Sequence, residues 1–177
     1  RLSTPSPNHA SVALWIEIDD IRLLLGADLE HTNDPATGWT AIVTTSQAAD
    51  SKAAVFKVPH HGSQNGHHDG VWSKLLLAAP YAVVTPFRHG RHLLPNASDI
   101  ERIAALTPNA YLTAPVRAKP VRWRQRVVRD FVNAATKSIE PAFAGWGQVQ
   151  LRRSLETPNA QWQVRLFGDA FQLFDKV

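Results

Sequence analysis

Short apolar runs that stop at a glycine or a proline, separated by segments with helical spacing, constrain this chain more than any other feature. Residues 11–18 alternate loosely between apolar and polar, and residues 21–25 form a second apolar run beyond an Asp19-Asp20 turn, which predicts a β-hairpin. Residues 53–58 read as a buried strand halted by Pro59, and residues 81–85 as another held between Pro80 and Pro86. Between these runs, helical patterns are expected over residues 39–48 and over residues 71–79, where Val71, Leu75 and Leu76 share a face with Trp72 beside them. Ser98-Asp99-Ile100-Glu101 matches a capping box that would open a helix lasting to about Leu106, ahead of a short strand over residues 110–114. Alternating strands and helices define the α/β class.

The last third of the chain has a different grain. Residues 121–137 predict an amphipathic helix with Trp123, Val127, Phe131 and Ala134 or Ala135 on one stripe and Arg122, Arg126 and Arg129 on another. Residues 148–152 and 161–167 read as paired strands around the turn-forming Thr157-Pro158-Asn159, and residues 170–174 as a third strand beside them. Two regions follow: residues 1–114, and a C-terminal α+β extension over 115–177 expected to pack on the same domain.

Composition narrows the chemistry. A chain of 177 residues, 44% of them apolar, can bury one sizeable core. It contains no cysteine, which excludes disulfides and thiolate zinc sites, so a transition metal would have to be held by the eight histidines together with carboxylates. The formal charge of +4 and the pI of about 9.8 mildly favour anionic partners. No stretch approaches the roughly 20 consecutive apolar residues of a membrane helix, so no membrane contact is required by this chain and a cytoplasmic location is expected. The chain starts at Arg1 and holds no methionine, which reads as a fragment whose missing part is N-terminal.

Three segments carry candidate chemistry. In Leu25-Gly26-Ala27-Asp28 an apolar strand runs out into a carboxylate, a rigid place from which Asp28 could bridge two divalent metals; a solvated turn aspartate is the alternative. In Val58-Pro59-His60-His61-Gly62-Ser63 two histidines follow a buried strand, and an extended backbone would turn one toward a site and the other away. The loop of Arg88, His89, Arg91 and His92 could contact phosphate or protonate a leaving group. His67, His68 and Asp69 lack the spacing of a paired-histidine zinc helix and are expected to form a solvated loop.

Taken in order, Asn8-His9-Ala10-Ser11, the strand ending at Asp28, and Lys57-Val58-Pro59-His60-His61-Gly62-Ser63 resemble the second half of metallo-β-lactamase-fold hydrolases. The nearest branch comprises the hydrolase domains found with bacterial DNA-uptake channel proteins, and the resemblance covers residues 8 to 106. It implies half of an αββα sandwich, two zinc ions or manganese, and hydrolysis of a phosphodiester in nucleic acid or a nucleotide. Asp28 would bridge the metals and His60, directly after the strand and its proline, would bind one of them; His61 is the other reading. His61 or His92, the latter in a His-x-x-Pro segment ending at Pro95, would assist substrate or leaving group. Asn8, Ser63 and Arg91 would lie on the substrate side.

Two departures accompany the resemblance. The family ends its strand in Thr-Gly-Asp where this chain has Gly26-Ala27-Asp28, and the His-x-His-x-Asp-His signature that supplies most ligands is absent from these residues. The resemblance therefore implies a partner, the remaining N-terminal half of the fold, on the same or a separate chain. Membership of a channel protein would move the domain outside the cytoplasm. A non-catalytic scaffold or binding subunit with an incomplete metal site is the competing expectation.

The basic series Arg117, Lys119, Arg122, Arg124, Arg126 and Arg129 could grip phosphate with Trp123 stacking on a base, but a core-facing Trp123 with the arginines on a solvated helix face is preferred. Trp146 and Trp162 are expected to be packing residues.

Overall fold

The structure, a computed structural model, describes residues 7–32, 34–45, 51–89, 92–117, 125–137, 145–157 and 160–176. Its centre is a six-stranded sheet whose spatial order equals the chain order: β1 (Leu14–Ile18), β2 (Ile21–Leu25), β3 (Ala53–Lys57), β4 (Leu76–Val84), β7 (Ala110–Leu112) and β10 (Phe171–Gln172). β2, β3, β4 and β7 run parallel, while β1 and β10 are antiparallel at the two edges. The protein is thus of the mixed α/β class.

Each parallel crossover steps the same way across the sheet. Because such crossovers are almost always right-handed, their helical segments must collect on one face. Strand register shows which face that is. Leu24, Phe56, Ala82 and Ala110 align in one row across four strands, with Val84 and Leu112 in the next. All six are buried, in one cluster with Trp39 of α1 (Gly38–Thr45), Val71 and Leu75 of a π-helical turn (Val71–Leu75), and Ile103 of α2 (Ala97–Leu106). Phe56 makes edge-on contacts with both Trp39 and Trp72, at ring-centroid distances of 6.5 and 5.3 Å.

The opposite face is apolar but less covered. Val55 and Tyr111 are buried, whereas Leu23, Leu25 and Val83 are half-buried and Leu14 and Ile18 are exposed. Trp162 lies against Tyr81, the register partner of Val55, with rings 6.0 Å apart, so it packs as expected. It precedes β9 (Gln163–Gly168), which pairs with β8 (Gly147–Arg152) in a separate hairpin tied to the β1–β2 turn by an Arg153–Asp20 ion pair. A further hairpin, β5 (Phe87–His89) with β6 (His92–Leu94), lies between β4 and α2.

Several sequence expectations need correction. Helical structure after Gly70 ends at Leu75, and the strand begins at Leu76, because Leu76 pairs with Ala53 and is fully buried in the sheet. The capping box of α2 is two residues earlier than Ser98: Asn96 accepts from the Asp99 N–H while Asp99 accepts from the Asn96 N–H, and Ser98 instead donates to Asn96 Oδ1. The final strand joins β7 in the main sheet rather than the β8–β9 hairpin. In α3 (Arg126–Ala135) no residue is buried, and Val127 and Phe131 are 79% and 74% exposed, so this stripe faces solvent instead of the core. Trp123, Arg122, Arg124, Lys119 and the Pro158-Asn159 turn lie outside the described residues. No helix among the described residues is long and apolar enough to cross a membrane.

Candidate metal centre

The parallel strands all release their chain at the same edge of the sheet, the edge where α/β sheets place ligands. Asp28 follows β2, His60 and His61 follow β3, and Thr85 to Phe87 follow β4. Backbone bonds continue the ladder past the strands: Gly26 N–H donates to Lys57 O at 3.0 Å, Val58 N–H to Val83 O at 3.0 Å, and His60 N–H to Ala27 O at 2.9 Å. A side chain at Gly26 would bring its Cβ to 2.8 Å from Pro59 Cβ, so only glycine lets β2 and the histidine loop close this tightly.

Three non-glycine residues at this edge adopt left-handed backbone: Ala27 (φ 45°), His60 (φ 44°) and His61 (φ 53°). Each such residue costs on the order of 1–2 kcal/mol, and clusters of them mark sites where geometry is held by the surroundings. The histidines therefore leave a tight left-handed turn rather than an extended strand, and they diverge. His61 Nδ1 is 2.9 Å from Thr85 O, and its Nε2 is 3.7 Å from Asp28 Oδ1. His60 faces the other way, with Nδ1 3.4 Å from Glu30 Oε1 and Nε2 3.4 Å from Asn8 Nδ2, which itself donates to Glu30 Oε1 at 2.9 Å.

These contacts make two imidazole–carboxylate pairs, His61 with Asp28 and His60 with Glu30. A carbonyl acceptor at Nδ1 places the proton there and leaves the Nε2 lone pair of His61 free toward Asp28, the arrangement that surrounds metal-ligating histidines. At 3.7 Å the Nε2–Oδ1 gap is too long for a hydrogen bond and near the spacing of about 3.4 Å between two donors on one tetrahedral ion. Among the described residues the buried Ser63 Oγ has no hydrogen-bond partner, and His60 Nδ1 has only its 3.4 Å ion-pair contact with Glu30. Among the described residues no group of three or more His, Asp or Glu could hold a metal ion, so the donors present fit part of a coordination shell.

The remaining candidates are placed less directly. His92 stands exposed in β6 opposite His89, and no hydrogen bond or ion pair among the described residues joins it to Asp28 or His61. Arg91 lies outside the described residues. His67 and Asp69 pair at 2.9 Å on the surface. Lys57, at the end of β3, donates to Val58 O; burial lowers its pKa, and the nearby Asp28 carboxylate partly restores it.

Glu30 and Arg102 were not legible as site residues. Arg102 donates to Gly62 O at 2.6 Å and to the buried Asp99 carboxylate at 2.8 Å, and also reaches Gln64, so α2 clamps the turn carrying both histidines. Beside His61 a cleft of about 320 Å³ opens between the ends of β4 and β7, walled by Phe87, Arg88, Pro115, Val116 and Trp146. Trp146 is 73% exposed, contrary to the packing role expected of it. No family model matches the chain, nor does any curated protein or solved structure.

Proposed function

We propose that this chain is part of a metal-dependent hydrolase of the metallo-β-lactamase fold, acting on a phosphodiester of nucleic acid or a nucleotide. The observation that carries this reading is the pairing of Asp28 with His61 across the ends of two adjacent parallel strands, with the His61 ring fixed by the Thr85 carbonyl of a third. A divalent metal, zinc or manganese, would supply Lewis acidity and a water acidic enough to lose its proton near neutral pH.

The chain's own residues orient and hold. Asp28 and His61 would each give the metal one donor, which favours His61 over His60 as the ligand. Glu30 and Asn8 hold the His60 ring at the flank of the site, where it can meet substrate. His92 would join only if substrate reached along the β5–β6 hairpin. The sheet with helices on one face and an apolar, incompletely covered second face supports the half-sandwich reading, the second face being where the other half would pack. That other half would contribute the His-x-His-x-Asp-His ligands and complete two metal sites.

A scaffold without catalysis is the second reading, favoured because no group of three or more metal donors occurs among the described residues. Metal analysis of the intact protein, with hydrolysis of a chromogenic phosphodiester and of a single-stranded oligonucleotide, decides between them. The hydrolase reading expects at least one bound metal per chain and activity that falls a hundredfold or more in Asp28→Asn. Less than one metal per chain together with no hydrolysis above background establishes the scaffold, and hydrolysis indifferent to Asp28→Asn removes Asp28 from the site.

A further inference from the structure

The cleft between the ends of β4 and β7 has a composition that the metal reading does not use. Phe87 presents one face to His61, with centroids 4.9 Å apart and planes 28° apart, and is stacked in the same sense with His89 at 6.5 Å. Phe87 thus stacks on the imidazole that meets Asp28, with His89 two residues along the same strand beside it. Trp146 forms part of the same cleft and is the only exposed tryptophan among the described residues.

Trp146 is held in place from its backbone. Its N–H donates to Asp169 Oδ2 at 3.2 Å and its carbonyl accepts from the Asp169 N–H at 2.7 Å. Next to it, Gly147 is pressed so closely on the end of β7 that an added Cβ would lie 2.3 Å from Thr113 O. The indole is 73% exposed on a backbone pinned at both of its polar groups, and it shares the cleft with Phe87, Pro115 and Val116.

We propose that this cleft is a nucleobase subsite, in which a base of single-stranded nucleic acid or a nucleotide stacks on Trp146 and Phe87. This deepens the phosphodiesterase reading and rests on it for the position of the scissile group. Cleft size agrees: about 320 Å³ lies at the small end of ligand pockets, suited to one base rather than a duplex. Stacking tolerates any base, because every base has a π-face, so the subsite would impose single-strandedness more than sequence.

The test is binding in EDTA, so that it is independent of catalysis, using the intact protein and a short fluorescein-labelled oligonucleotide. A matched oligonucleotide with abasic positions serves as probe of the base. We expect the abasic strand to bind about tenfold or more weakly than the base-bearing one, Trp146→Ala to abolish that difference, and Trp146→Phe to keep most of it. Equal binding of the two strands by the wild-type protein, or discrimination unchanged in Trp146→Ala, overturns the subsite. A protein that discriminates between the strands yet hydrolyses no phosphodiester with metal restored supports the subsite and refutes the hydrolase reading.

Discussion

Asp28 and His61 face each other across 3.7 Å, and the imidazole that completes this pair is the second histidine of the tandem, whose Nδ1 is bound to the Thr85 carbonyl. Isothermal titration of the intact protein with zinc should therefore rank the two histidines. Asp28→Asn and His61→Gln are expected to weaken binding by more than tenfold, His60→Gln by less. Loss of metal in the His60 variant with retention in the His61 variant reverses the assignment.

Ala27 sits at φ 45°, a backbone that favours glycine, and it occupies the place where the resembled family has the glycine of Thr-Gly-Asp. Ala27→Gly should raise stability by about 0.5–1 kcal/mol, the relief of left-handed strain less the added freedom of the unfolded chain. Urea denaturation reads this directly; a destabilised variant would mean the alanine methyl packs more than its conformation costs.

Arg102 joins the fully buried Asp99 to the histidine turn through Gly62 O. Arg102→Met leaves a buried carboxylate without its cation and should cost about 3 kcal/mol of stability. It should also lower metal affinity about tenfold, since the turn loses its clamp. Stability that falls while metal affinity stays constant would limit Arg102 to a structural role.

His68 has its pKa lowered by burial, with His31, His67 and Lys74 adding in the same direction and Asp69 opposing. Its Nδ1 accepts the Gly70 N–H at 3.0 Å, which requires an unprotonated nitrogen, and its ring meets His31 edge-on at 5.3 Å. The unfolded chain protonates this residue near pH 6.5, the folded one only at lower pH. Between those values the unfolded state binds more protons, so stability is lost as pH falls through 6.5 and the loss is complete below the folded pKa. Urea midpoints measured from pH 7.5 to 5 should fall less steeply in His68→Asn, which keeps an acceptor for Gly70.

Much of the sheet was legible because its strands are short apolar runs stopped by glycine or proline, a local signal that tertiary structure does not override. The helix expected over residues 71–79 failed for an equally physical reason: Leu75 and Leu76 are both buried, and a pair of buried leucines fits a helix face or a strand equally well until pairing with Ala53 decides. In the candidate site the residues at strand ends could be read from spacing. Which histidine meets Asp28 could not, since it depends on two consecutive left-handed residues, and Glu30 and Arg102 act through space from segments with no motif. Trp146 was misjudged because its strand-like context is not realised: β8 begins one residue later, at Gly147, and the indole stays exposed.

The coincidence of spatial order and chain order in the main sheet has a consequence for how the molecule is made. Among the described strands none has to insert between two that are already paired, so each can dock on the growing edge as it emerges during synthesis. By the time β4 is laid down, Asp28, both histidines and the Thr85 carbonyl are in register, well before the strands of the C-terminal hairpin exist. Within the described residues the imidazole–carboxylate pairs are thus in place before the wall carrying Trp146 is added.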